Sequence, residues 1–267
     1  MIRKLNRFST SGIDKNKLTT SKGNQPKYFD IDNNFIKIDY LGYEGLSEII
    51  CSMLLNISSC SFFVHYDEFK DDNNRRGCIS KNFLLPNQKI ITLYRLFQSY
   101  QIDIEKELQS LNMVDKIIYV AGKVEQITGL TDFLRWFVSL LQFDFLVLNE
   151  DRHFNNVGVL YDKKLDKFSI MPVFDNGAAL LSNLYDYPLY LPLNDSVKKV
   201  HSKPFSSNFK KKFDACCSIS KDAFLIDYDK IDGIKENAFL YYNEEEVTRC
   251  ITLLENRLRL FEKYFRV

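Results

Sequence analysis

Six cysteines are present, yet none forms a C-x-x-C pair and no His/Cys cluster has zinc spacing, which excludes a zinc knuckle. Thiols in this arrangement fit a reducing compartment better than a disulfide scaffold. Charge is nearly absent in net terms: 36 Lys and Arg face 35 Asp and Glu, leaving +1, so bulk electrostatics give no pull towards nucleic acid. No apolar run reaches the roughly 18 residues that read as a membrane span. The first ten residues are basic but lack an apolar core, so no Sec-type signal is read there. A cytoplasmic location is expected, with secretion or delivery to another cell by a non-Sec route left open. No internal repeat is found. What is abundant is apolar surface: 45% of residues are hydrophobic and 14% aromatic, a composition that folds. At 267 residues the chain can bury a sizeable core, as one domain or as two lobes sharing a cleft.

Residues 148–177 carry the densest chemistry. They contain N-E-D-R-H-F-N-N at 149–156 and V-F-D-N-G at 173–177. Asp151 and Asn156 fit D-x-x-x-x-N, and Asp175 follows with Gly177 two positions later. Phosphoryl transfer from ATP uses an Asp to orient the acceptor hydroxyl, and an Asn and a second Asp to hold Mg²⁺. This order and spacing is the protein-kinase arrangement. Each half alone occurs by chance; the two together are specific.

The flanks agree. Residues 131–145 predict a helix, with Thr131 or Asp132 as N-cap and Phe133, Trp136, Phe137, Leu140 and Leu141 on one face. Residues 157–160 and 168–173 predict paired strands around the turn Asp162-Lys163-Lys164, returning Asp175 towards Asp151. Asp144, at the end of the long helix, is read as structural. Arg152 is expected to pair with an acidic neighbour and Asn149 to brace the loop. His153 fits either an ATP phosphate contact or a bracing hydrogen bond.

Upstream, residues 35–39 alternate as a strand, and Lys37 stands among β-branched residues as a phosphate-binding lysine does. The bland alternative is a solvent-facing strand lysine; as a phosphate clamp Lys37 is expected to be partly exposed and to contribute little to stability. The helix predicted over 46–55 offers Glu48 or Glu44 as its partner; an exposed acidic residue in the first helical turn is the plain reading of either.

The wording of these motifs, D-R-H rather than H-R-D and F-D-N-G rather than D-F-G, resembles the HipA-like serine/threonine protein kinases, in particular the small CtkA-type bacterial kinases. The likeness covers most of the first two thirds of the chain and fades after about Ser182. It implies an α+β, two-lobed kinase-like fold, with a small β-rich N-lobe over 1–67 and a helical C-lobe over 68–267. It implies ATP and Mg²⁺ as cofactors and a Ser/Thr protein acceptor, with autophosphorylation open. It also implies that G-N-Q-P-K, with Gly23, Asn24, Gln25 and Lys27, covers the phosphates; this loop has one glycine and does not match G-x-G-x-x-G. S-E-I-I-C favours Glu48 as the lysine's partner. His65, Tyr66 and Asp67 fall where a hinge would bind adenine. The catalytic assignment is Asp151 with Lys37; the metal assignment is Asn156 with Asp175. HipA-like toxins carry an additional N-terminal domain that this sequence is not expected to contain. D-R-H loops also occur in phosphoinositide kinases, so a lipid or small-molecule kinase is one alternative, and an ATP-binding interaction module another.

Elsewhere, 61–67 predicts a strand, 70–76 a loop, and 84–142 mainly helix. Leu108, Leu111 and Val114 are placed on one face, with breaks at Gly122 and Gly129. Residues 185–193, rich in Tyr and Pro, predict a surface segment beside the cleft. The basic stretch 198–212 reads as a solvated face or an attraction for acidic peptide. Residues 242–267 predict a packing helix with Val247, Ile251, Leu254, Leu258, Phe261 and Phe265 in one stripe.

Overall fold

The computed structural model describes residues 25–265. Four short antiparallel strands form a first sheet in the order β1-β2-β4-β3: β1 (Lys27–Phe29), β2 (Asn34–Ile38), β3 (Asp67–Lys70) and β4 (Arg76–Lys81). Strand alternation puts Ile36 and Ile38 on one face, where they bury against Phe69, and turns Lys37 to the other. Helix α1 (Glu44–Asn56) covers that second face. It comes very close to the sheet, because a methyl group on Gly45 would lie 2.6 Å from the Gly77 carbonyl carbon. One on Gly77 would lie 1.9 Å from the Lys37 carbonyl oxygen. Glycine at 45 lets helix and strand meet closely, and glycine at 77 lets β4 lie tight against β2.

A second antiparallel sheet follows, ordered β5-β6-β7: β5 (Gln88–Thr92), β6 (Gly158–Asp162) and β7 (Lys167–Ile170). The hairpin of β6 and β7 is the one the sequence predicts. Strand β5 corrects the helical expectation for its segment; its β-branched Ile90, Ile91 and Thr92 pair with Leu160, Val159 and Gly158.

The helical part comprises α2 (Leu93–Ser99), α3 (Ile104–Leu108), α4 (Met113–Thr128), α5 (Phe133–Val147), α6 (Leu193–Lys199), α7 (Phe209–Ile219), α8 (Asp232–Lys235) and α9 (Glu244–Phe265). Leu108, Leu111 and Val114, expected on one helical face, fall on two helices and the turn between them, since Asn112 breaks the helix and caps α4 by accepting from the Asp115 N–H at 3.0 Å. Gly129 ends α4 in the left-handed region, as expected, whereas Gly122 lies inside α4 with open space around it. Helix α5 is largely buried, and α4, α7 and α9 pack on it. Asp132 takes the N-cap position of α5 without a side-chain cap bond. In α9, Leu254, Leu258 and Phe261 are buried, as the stripe predicts. No helix among the described residues is long and apolar enough to cross a membrane.

Two expectations change. Residues 61–66 form no regular strand; Phe63 bridges Val173 in parallel, and the strand begins at Asp67. The lobe boundary expected near Asp67 falls inside the first sheet, because β3 and β4 still pair there. The chain leaves that sheet through residues 82–87.

The end of the chain fastens back onto the first sheet. Arg76 of β4 forks onto Glu246 of α9 at 2.6 and 2.5 Å, and Glu68 accepts the Leu240 and Tyr241 N–H groups at 2.9 and 3.0 Å. Asp39 sits beside this fork, accepting the Gly45 N–H at 2.6 Å and lying 3.4 Å from Arg76. Burial pushes its carboxyl up to about 7, with Glu44 adding and Gly45 and Arg76 opposing. The folded state thus holds a proton that the unfolded chain releases above its ordinary value of 3.8, and Asp39 weakens the fold as pH rises from there through about 7. Asp39→Asn keeps an acceptor for Gly45 and removes this slope. Its melting midpoint is expected to gain about 3 °C or more on the parent between pH 5 and pH 8, the shift of roughly 1 kcal/mol in a chain of this size. A parent–variant difference that stays flat with pH would contradict it.

Candidate active site

Lys37 is fully buried at 1% exposure, which corrects the expectation of a partly exposed lysine and overturns the solvent-facing one. Its ammonium makes a short hydrogen bond to Glu48 Oε1 and another to Asp175 Oδ1 at 2.8 Å. The Tyr66 and Phe35 rings lie 5.3 and 5.9 Å from it. Burial by itself would lower the Lys37 pKa, but Asp175 and Glu48 outweigh it and hold the group well above the ordinary lysine value. For Asp175, burial acts upward, and Lys37 and Lys27 together hold the carboxyl below the usual carboxylate range. The other Glu48 oxygen accepts the Asn176 N–H at 2.9 Å. Glu44 does something else: its carboxylate accepts the N–H groups of Tyr40, Leu41 and Gly42 at 3.2, 2.7 and 3.1 Å and orders the loop before α1. The choice between the two glutamates is therefore decided for Glu48.

The second loop leaves α5 through Leu148, which is left-handed at φ 56°. Arg152, buried to 1% exposure, is its keystone. Its Nε lies 3.1 Å from both Asp144 oxygens, its Nη1 donates to the Phe174 carbonyl at 3.0 Å, and its Nη2 to Asn176 Oδ1 at 2.6 Å. Asp144 is thus the expected acidic neighbour and is structural, as read. Asn149 braces the loop by accepting the Asp151 N–H at 3.1 Å and donating to Asn176 Oδ1 at 3.2 Å. These bonds, most of them buried, tie the Asp151 loop to the Asp175 loop and fix their relative position.

Asn156 turns its amide nitrogen to Asp151, donating to the carbonyl at 2.9 Å and to Oδ2 at 3.2 Å. The Asp151 carboxylate itself is half-exposed, with His153 Nε2 at 3.6 Å and Lys203 Nζ at 3.2 Å from Oδ1. Asp175 is held left-handed at φ 62°, a conformation Asp and Asn tolerate better than other side chains. Lys27 reaches to 3.9 Å of Asp175 Oδ1. Gln25 Nε2 is buried and has no hydrogen-bond partner among the described residues. Gly23 and Asn24 lie outside the described residues.

The stretch 65–67 is not brought to this cluster as a hinge. His65 is exposed with its ring tilted against that of Phe63 at 4.4 Å, and Asp67 opens β3 at the far edge of the first sheet. Tyr66 does face the cluster, through its buried ring beside Lys37. The segment that crosses between the sheets is 82–87, where the Phe83 ring lies 5.4 Å from that of Phe174 next to Asp175. Sequence reading missed this segment, Asn176 and Lys203. The asparagine of F-D-N-G was in view as a letter without a role, Lys203 only as one charge of the basic stretch 198–212, and nothing local marked 82–87.

The donor set suits a magnesium–nucleotide pair. Asn156 and Asp175 offer hard oxygen ligands, Lys27 and Lys37 offer cations for phosphate, and Gln25 offers a buried donor with no partner among the described residues. Among the described residues no three His, Cys, Asp or Glu side chains gather as a metal cage.

No protein-family model and no curated protein matches this sequence. Solved structures do. The Helicobacter pylori proinflammatory kinase CtkA superposes with a TM-score of 0.69 at 20% identity, over 96% of this chain and 95% of that one. HipA, from the Shewanella oneidensis MR-1 toxin–antitoxin complex with HipB and operator DNA, gives 0.53 at 12% identity, over 94% of this chain and 66% of that one. The chain has the kinase-like fold of CtkA and HipA, as the resemblance implies.

Proposed function

We propose that this chain is an ATP- and Mg²⁺-dependent phosphotransferase whose acceptor is a Ser or Thr hydroxyl of a protein. The observation that carries the reading is the buried Lys37–Glu48–Asp175 cluster locked through Asn176 and Arg152 to the loop that presents Asp151 and Asn156. Asp175 and Asn156 would hold Mg²⁺, which when bound neutralises phosphate charge. Lys37 and Lys27 would steady the nucleotide's phosphates, with Glu48 fixing Lys37 in place. Asp151 would orient the acceptor hydroxyl and take its proton, and Arg152 and Asn149 set the angle at which it does so. We divide the molecule into a first lobe ending at Lys81 and a second beginning at β5, with 82–87 between them as the adenine-side segment. The choice of a protein Ser/Thr acceptor rests on the resemblance; the D-R-H loop keeps a lipid acceptor as the second reading.

Mg-ATP titration by calorimetry, with radiolabel transfer to protein and lipid acceptors, tests this. Affinity for ATP is expected to rise at least about tenfold with Mg²⁺. Asp175→Asn, which keeps the left-handed backbone, is expected to abolish most of that gain. Equal Mg²⁺ dependence in parent and variant removes Asp175 from the metal site. Binding without transfer to any acceptor turns the reading into a nucleotide-binding module.

A further inference from the structure

Lys203 comes within 3.2 Å of Asp151 Oδ1 from 52 residues away in sequence. Its side chain is half-exposed, and an isolated ion pair of that kind contributes little. The backbone beneath it is anchored on both sides. Before it, the His201 N–H donates to Glu150 Oε1 at 2.8 Å, the same oxygen that accepts the Tyr187 hydroxyl at 2.8 Å. At it, the Lys203 carbonyl accepts a short hydrogen bond from the ammonium of Lys212, which is fully buried. After it, the Phe205 ring packs edge-on at 5.7 Å against Phe154 and at 6.1 Å against Phe137 of α5. The segment is therefore fastened to residues 150, 151 and 154 of one loop, and Lys203 is held where the acceptor must arrive.

Charge explains why a cation belongs there. The phosphoryl group in flight carries negative charge on its equatorial oxygens, and positive groups that meet it without rearrangement lower the barrier. Lys37 and Lys27 lie on the Asp175 side of the cluster. Lys203 lies on the Asp151 side, at the other end of the path.

We propose that Lys203 is a catalytic residue of the transfer reaction, its ammonium passing from Asp151 to an oxygen of the migrating phosphoryl group once the acceptor hydroxyl takes its place on the carboxylate. The inference rests on the phosphotransferase reading. In the step, the bond from the acceptor oxygen to the γ-phosphorus forms as the bond from that phosphorus to the bridging oxygen of ADP breaks. The hydroxyl proton goes to Asp151, Lys203 keeps its own, and nothing is oxidised or reduced.

Phosphate release from Mg-ATP by the full chain, with water as acceptor, tests it without knowledge of the substrate. Lys203→Met is expected to lower kcat at least about tenfold with KM for ATP within about twofold, the split of a contact made only in the transition state. Lys203→Arg is expected to recover most of the loss, and the melting midpoint of both to stay within about 2 °C of the parent. A kcat for Lys203→Met within about threefold of the parent makes the pair a surface contact and overturns the proposal. A raised kcat makes Lys203 a plug and overturns it too, as does an Arg variant no better than Met. These results fail the inference alone if the parent turns over ATP in an Asp151-dependent way. A parent that neither hydrolyses ATP nor transfers its phosphate fails the reading beneath it.

Discussion

Lys37→Met is expected to lower phosphoryl transfer by at least about 100-fold, the scale of a lost preorganised electrostatic contact. It is also expected to destabilise the fold by roughly 3 kcal/mol, the lower end of the cost of leaving one partner of a buried pair uncompensated. Met keeps the length and apolar stem, so the change isolates the charge. Without it, Glu48, with no exposure at all, faces the Asp175 carboxylate with its main counter-ion gone. A loss of stability is what a solvent-facing lysine would not produce. Adding Glu48→Gln should recover part of that stability, because a neutral amide still accepts the Asn176 N–H that Glu48 now receives at 2.9 Å. It should recover none of the transfer. Chemical denaturation of the parent, both singles and the double reads the first pair of effects, and a transfer assay the second. An unchanged unfolding midpoint in Lys37→Met would dissolve the ion cluster as a structural unit; unchanged turnover would remove Lys37 from the chemistry.

Asp151→Asn separates catalysis from binding. Asp151 is half-exposed, and its loop is held by Arg152, Asp144, Asn149 and Asn176, none of which bonds to the Asp151 carboxylate. The variant should therefore fold as the parent does and bind Mg-ATP with about the same affinity. It should transfer phosphate at least about 100-fold more slowly, since the amide cannot take the hydroxyl proton. The ion pair to Lys203 would be lost as well, at little cost in stability because both side chains are near half-exposed. Transfer at the parent's rate to any acceptor would remove Asp151 as the proton acceptor and with it the central support for a phosphotransferase.

The residues of the site were legible where a short-range pattern spelled them. D-x-x-x-x-N within one loop, D-x-G within one turn and a lysine in a β-branched strand are local, and local backbone geometry carries them into recognisable elements. The expected helices at 46–55 and 131–145, the strand at 35–39 and the paired strands at 157–160 and 168–173 all form at nearly those positions, because apolar periodicity marked them. The misreadings came where periodicity is short or shared. Residues 61–66 are apolar enough for a strand but find only Val173 as a partner, and 88–92 pair across 66 or more residues with a strand that lies beyond four helices.

From its own letters, then, the chain determined which side chains could do chemistry and on what kind of element each would sit. The burial of Lys37, the choice of Glu48 over Glu44, the Arg152 lock and the arrival of Lys203 at Asp151 were decided by tertiary structure. The physical reason is range. Backbone propensity acts over a few residues, whereas Lys37 and Asp175 are 138 residues apart and meet where α1 presses onto β4 at Gly45 and Arg152 bridges two loops. No periodicity encodes such a meeting, since any buried counter-charge would satisfy Lys37 equally; packing selects the one that is there.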